Sequence, residues 1–168
     1  MQIKNGKFGV DFLLEEKPSS KSVDRILVAV DGSEHSKKAA DLAVDLAKKW
    51  EAELYLIHVL EEKGVPKEFK EFARIEKVPV SEYFNLVCQT GGFLGEAEVK
   101  AKAAGIKKVE RICAQGNPAD EIINAAERLG VDMVVLGSRG LGGFSRAIMG
   151  SVSTKVCTHV NCACVTVK

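Results

Sequence analysis

The chain has 168 residues, enough for one domain with a proper core and too few for two. Hydrophobic residues make up 46% and charged residues 28%, an ordinary globular balance that excludes a disordered or fibrous chain. The 24 basic and 23 acidic residues leave a formal net charge of +1, which argues against a general nucleic-acid or membrane-surface binder.

Residues 1–23 read as a leader. Phe8 to Leu14 suits one short strand, and Lys17-Pro18-Ser19-Ser20-Lys21-Ser22 is linker-like. Pairing with a sheet edge, reaching a partner subunit and disorder are all open to it. No apolar run approaches the ~20 residues that span a bilayer, and the leader lacks the apolar stretch and cleavage site of a secretory signal. A cytoplasmic protein is therefore expected, with Cys88, Cys113, Cys157, Cys162 and Cys164 as reduced thiols mostly in core positions.

Residues 24–168 read as one domain. Ile26 to Val30 is a continuous, β-branched apolar run, as in a parallel strand buried on both faces. Asp31-Gly32-Ser33 supplies a turn and a helix cap. Ala39, Ala40, Ala43, Leu46, Ala47 and Trp50 then recur at helical spacing, and Leu54 to Val59 is a second strand, closing a right-handed βαβ unit. Residues 61–80 form a charged excursion with one short helix. Glu82 to Ala104 is helical with an interruption at Gly91-Gly92, and Val109 to Ala114 is a third strand. Asn117-Pro118-Ala119-Asp120 starts a helix that stops at Gly130, followed by a fourth buried strand at Met133 to Leu136. A glycine-rich loop, a helix at 151–159 and a strand near Cys164–Val167 end the chain. Strands alternating with helices predict an α/β fold, an open, doubly wound parallel sheet of Rossmann-like type with helices on both faces.

In such sheets ligands bind outside the carboxyl ends of the strands, where the winding reverses. The segment there is Gly137-Ser138-Arg139-Gly140, continuing to Gly150-Ser151-Val152-Ser153. Glycines let backbone N–H groups approach phosphate oxygens, and Gly150-Ser151 opens a helix whose N-terminus favours negative charge. Arg139, Arg146 and Lys155 place positive charge nearby. On physical grounds alone a turn-forming loop without a ligand remains open. The segment is neither a Walker A loop nor a dinucleotide fingerprint.

Gly137-x2-Gly140-x9-Gly150-Ser151 resembles the signature of the universal stress protein family in its ATP-binding branch. Ile26 to Ser33, Leu56 to Val59 and Gly116-Asn117-Pro118-Ala119 resemble three further stretches of that family, so the likeness covers residues 24–168. It implies five strands in order 3-2-1-4-5, a homodimer, and ATP, ADP or AMP across the ends of strands one and four, with Mg²⁺ or Mn²⁺. By position it places Asp31 on the ribose, Val30 and Val59 around adenine, and Gly137, Arg139 and Gly140 at ribose and first phosphate. Gly150, Ser151, Val152 and Ser153 fall to the outer phosphates. The family's His-Ala-Pro-Cys-Pro before the last strand here reads His159-Val160-Asn161-Cys162-Ala163, without either proline.

The resemblance implies a stress-response module that signals through bound nucleotide and dimer state, with at most slow hydrolysis or autophosphorylation and no assigned catalytic residue. Two alternatives are an adenylate-chemistry enzyme and a nucleotide-free interaction scaffold. The first lacks its loop motifs here, and the retained glycines argue against the second. His58 at a strand end reads as packed or hydrogen-bonded, His35 as solvated, and Cys162-x-Cys164 as strand packing rather than a metal or redox pair. Neither a nucleic acid nor a membrane is expected as a partner.

Overall fold

The computed structural model describes residues 22–61, 64–90, 92–141 and 149–168. The strand expected within the leader, and Arg146, lie outside them.

Two continuous apolar runs become β1 (Arg25–Ala29) and β4 (Met133–Gly137), neighbours in a five-stranded parallel sheet. With β2 (Glu53–Leu60), β3 (Val109–Gln115) and β5 (Ala163–Val167), the order is β3-β2-β1-β4-β5, as the family resemblance implies. A central strand covered on both faces must be apolar at successive positions. Ile26 and Val28 pack on one side, Leu27 on the other, and all three are fully buried.

Helix α1 (Glu34–Trp50) starts at Ser33, whose Oγ accepts from the Ser36 N–H. Its Ala39, Ala40, Ala43 and Ala47 are buried, and small side chains let the helix lie close to the sheet. Trp50, expected on that stripe, is instead 40% exposed in the last turn. The 61–104 stretch resolves into α2 (Lys67–Glu76), α3 (Ser81–Thr90) and α4 (Gly92–Ala103). The interruption between α3 and α4 falls where the glycine pair stands, since glycine disfavours a helix interior. Leu94, Ala97 and Ala101 pack α4 on the same face as α1.

The opposite face is covered by α5 (Pro118–Leu129) and α6 (Ser151–His159), through Ala119, Ile122, Ala126 and Val156. The Asn117 side chain accepts from the Ala119 and Asp120 N–H groups, and Pro118 fills the first helical position, where its missing donor costs nothing. No helix among the described residues is long and apolar enough to cross a membrane.

The expectation of reduced thiols needs correction. Cys88 on α3 is bonded to Cys113 on β3, and Cys157 on α6 to Cys164 on β5. Each bridge joins a helix to a strand, with Cα–Cα separations of 6.1 and 5.4 Å, so only the tertiary fold brings the partners together. Cys164 consequently serves a cross-link rather than packing alone. Alkylating the denatured protein after reduction should add four labels beyond those taken up before reduction, one for each cysteine of the two bridges. An identical label count by mass spectrometry in both states would mean that the bridges do not form.

Candidate functional site

The chain leaves β1 through a tightly held turn. The Val30 N–H donates to the Ile57 carbonyl at 2.8 Å, which keeps the backbone beside β2 for one more residue. Asp31 Oδ1 accepts from the Ser33 N–H at 2.9 Å, and the Asp31 N–H donates to Ser36 Oγ at 3.3 Å. This side-chain-to-backbone turn fixes the carboxylate at the mouth of the sheet. Its second oxygen lies against Gly140, where a Cβ would come within 2.6 Å of Asp31 Oδ2.

The chain leaves β4 through Ser138, a buried residue whose polar groups are all engaged. Its N–H donates to the Val167 carbonyl at 2.7 Å, and its carbonyl accepts from the Gly150 N–H at 2.8 Å and from Ser153 Oγ at 3.0 Å. Its hydroxyl lies 3.0 Å from His35 Nδ1. Ser33 Oγ also donates to the Arg139 carbonyl at 3.4 Å. The turns after β1 and β4 are thereby fastened into one rim.

Helix α6 opens on this rim. Its N-cap is Gly150, which brings no capping side chain, in contrast to Ser33 on α1 and Asn117 on α5. The first N–H groups of a helix have no partner within it and carry its positive end, so they are available to an anion. Ser153 is buried, and its hydroxyl donates to the Ser138 and Gly150 carbonyls. Its contribution toward the open space is therefore its backbone N–H, whereas the Ser151 side chain is exposed. Lys155, counted in the sequence as nearby positive charge, is committed to Asp120 on α5, with Nζ 2.6 Å from Oδ1.

These elements enclose a cleft of about 840 Å³. Val30 and Asp31 enter it from the end of β1 and Val59 from β2. Gly137, Arg139 and Gly140 enter from the turn after β4, and Gly150, Ser151, Val152 and Ser153 from the start of α6. The structure thus brings every expected site residue to one cavity, of a size suited to small-molecule ligands. Among the described residues, no group of three or more His, Cys, Asp or Glu side chains could hold a metal ion. The expected Mg²⁺ or Mn²⁺ accordingly finds no cage of such side chains among the described residues.

An interlinked ionisable cluster lies at the far end of β2. Hydrogen bonds from Tyr55 and Lys108 hold the Glu53 carboxyl below its usual range, and burial followed by Glu53 pushes the Tyr55 phenol up. Such a network ties the sheet edge and has no access to the cleft chemistry.

The model of the universal stress protein family matches residues 22–168. Universal stress protein YxiE of Bacillus subtilis is 41% identical over 143 residues, which are 83% of this chain and 95% of that relative. The chain belongs to the universal stress protein family. Among solved structures, hypothetical protein MJ0577, the subject of a structure-based assignment of biochemical function, superposes with a TM-score of 0.72. It is 26% identical, over 88% of this chain and 96% of its own. A universal stress protein in complex with cAMP superposes with a TM-score of 0.62 at 24% identity, over 87% of this chain and 97% of its own, a likeness of fold.

Within this family fold, several residues around the cleft escaped the sequence reading. His35 is not simply solvated: it is half-buried and bonded to Ser138, and its backbone packs against Gly137. The one available hint to Ser138 was its place directly after a buried strand. Phe93, Tyr83 and Val87, from α3 and α4, form the cleft wall beside His58. Their only sequence signal was proximity to the Gly91-Gly92 pair.

Proposed function

We propose that this protein is a regulatory module that binds an adenine nucleotide in the cleft and signals through its bound state. The observation that carries this reading is the convergence of Asp31, the β4 turn and the uncapped start of α6 on one cavity. The complex of a similarly folded family member with cAMP supports the class of ligand. In this reading Asp31 Oδ2 accepts from the ribose hydroxyls, with Oδ1 already anchored by the Ser33 N–H. Val30 and Val59 flank the base. Gly137, Arg139 and Gly140 meet the ribose and first phosphate. The N–H groups of Ser151, Val152 and Ser153 receive the outer phosphates, where charge-assisted hydrogen bonds and the helix dipole add.

ATP is the preferred nucleotide, because only the outer phosphates reach α6. Transfer of the γ-phosphoryl group to the exposed Ser151 hydroxyl, with release of ADP and of the hydroxyl proton to solvent, is a slow side reaction at most. Ser153 is a poor acceptor, since its hydroxyl is buried and already donating. The proposal includes a cytoplasmic homodimer, with residues 24–168 as the nucleotide-binding unit and 1–23 as a separate leader.

Calorimetric titration of nucleotide-stripped protein with ATP, ADP and AMP, with and without Mg²⁺, tests the reading. Dissociation constants of about micromolar for ATP, rising as phosphates are removed, are expected. Failure of all three nucleotides to bind would overturn the proposal and leave a protein scaffold as the better account.

A further inference from the structure

Helices α2 and α3 lie between the end of β2 and the start of α4, and they are lightly held. Of the described hydrophobic side chains in 64–90, Val65, Ala73 and Phe84 are buried, whereas Phe72, Ile75 and Leu86 are more than half exposed. Phe69 of α2 packs on Tyr83 of α3, with ring centroids 5.0 Å apart, so the two helices support one another. Helix α4 differs, because Leu94, Ala97 and Ala101 anchor it in the core. It opens at Gly92 with φ +38°, a backbone state that suits glycine and a pivot. The inner side of α3 meets the ligand space. Tyr83 and Val87 line both the cleft and a smaller chamber of about 230 Å³ beside it, which Cys113 also lines. What fastens α3 covalently to the sheet is the bond from Cys88 to Cys113 on β3.

We propose that Cys88 and Cys113 are a reversible dithiol–disulfide pair, a redox modification site that latches α3 against the cleft and releases it on reduction. Cys113 lies on an edge strand and is exposed, so its sulfur is the one open to an incoming thiol, while Cys88 is half-buried. A dithiol reductant supplies the chemistry. Its first thiolate attacks the Cys113 sulfur, forming a mixed disulfide and expelling Cys88 as a thiolate, which takes up a proton. Its second thiol, deprotonated, then displaces Cys113 and leaves the reductant as its own disulfide. Two electrons and two protons thus pass to the cysteine pair. Reduction removes a constraint spanning 25 positions from an element with few buried side chains, the kind that opens locally. Tyr83 and Val87 then leave the wall, while α4 keeps Phe93 in place. The second bridge is built otherwise. Cys157 and Cys164 are both half-buried, and α6 rests on Val156 and Ser153, which stay buried with or without the bond. In a reducing compartment, such as the cytoplasm proposed above, disulfides are mostly transient and redox-sensing. The effect on ligand affinity rests on the nucleotide reading above, whereas the release of α3 does not.

The test measures amide hydrogen exchange and ATP affinity on oxidised wild type and on wild type reduced with dithiothreitol. Cys113→Ser and the double variant Cys157→Ser/Cys164→Ser are run beside them, with thermal melts to establish folding. Reduction should speed exchange across Ser81–Thr90 by about tenfold or more and leave Gly92–Ala103 within about twofold. ATP should bind about tenfold more weakly to the reduced protein, the weight of the lost wall contacts. Reoxidation should reverse both changes. The double variant keeps the Cys88–Cys113 bond and should respond as wild type does, whereas Cys113→Ser should exchange fast in α3 under either condition. Equal α3 exchange in oxidised and reduced wild type, or a response that disappears in the folded double variant, would overturn the latch. ATP bound equally well in both states despite a released α3 would overturn its control of the cleft. Release of α3 on reduction in a protein that binds no ATP in either state would remove the nucleotide reading and leave the latch standing.

Discussion

Gly150→Val is expected to weaken ATP binding by about 100-fold or more, the loss of two charge-assisted hydrogen bonds, while the melting temperature moves by only a few degrees. The two halves of this expectation come from the same geometry. Gly150 has φ −65° and ψ 156°, backbone angles open to any residue, so strain does not require a glycine there. Nor does crowding, because a Cβ would sit 3.4 Å from the Ser138 oxygen and 3.6 Å from Ser153 Oγ, ordinary contact distances. What remains is the open approach to the N–H groups of α6, over which the branched valine side chain would stand. Valine caps a helix less well than glycine, which costs the fold up to about 1 kcal/mol. Calorimetry alongside a thermal melt reads both quantities. Unchanged affinity in a folded variant would mean that the helix start is not the phosphate site.

Much of the fold was legible because it is written locally. The runs Ile26 to Val30 and Met133 to Leu136 have no polar alternation, and a strand without it is covered on both faces. Asn117-Pro118 announced its own helix through capping chemistry that needs no distant partner. The glycines around the cleft were equally visible, since their spacing survives in one dimension. The missing features are long-range pairs. His35 meets Ser138 across 103 positions, and neither residue type signals the other. Lys155 looked available because its partner Asp120 belongs to a different helix. The disulfides escaped for a different reason: their partners lie only 25 and 7 residues apart, but nothing in a cysteine's neighbours names its partner. Phe93 illustrates a further limit: nothing in its sequence neighbourhood marks it as a cleft residue, yet it is 43% exposed and lines the cavity.

Gly137→Val is expected to destabilise the protein by about 3 kcal/mol, the upper end of the range for overpacking, and to lower the melting temperature by roughly 6–12 °C. This glycine lies in the same glycine-rich stretch as Gly150 but has different neighbours. A Cβ on Gly137 would lie 2.9 Å from the His35 carbonyl carbon, the His35 Cβ and the Ser36 nitrogen. Two of those atoms are backbone of the first turn of α1 and the third is fixed to it, so none can rotate out of the way. Relief requires lifting the start of α1 from the end of β4. That movement would strain the bond between the Asp31 N–H and Ser36 Oγ, and with it the placement of the Asp31 carboxylate. The variant should therefore lose nucleotide affinity as a consequence of a shifted rim. Gly140 stands between the two cases, since its neighbour at 2.6 Å is the end of the Asp31 side chain, which can turn aside. A Gly137→Val protein as stable as wild type would show that α1 does not rest on β4 as closely as its backbone distances require. Loss of stability with Gly137→Val and loss of affinity alone with Gly150→Val would separate, within one glycine-rich stretch, the glycine that lets two elements touch from the glycine that leaves a helix end open to a ligand.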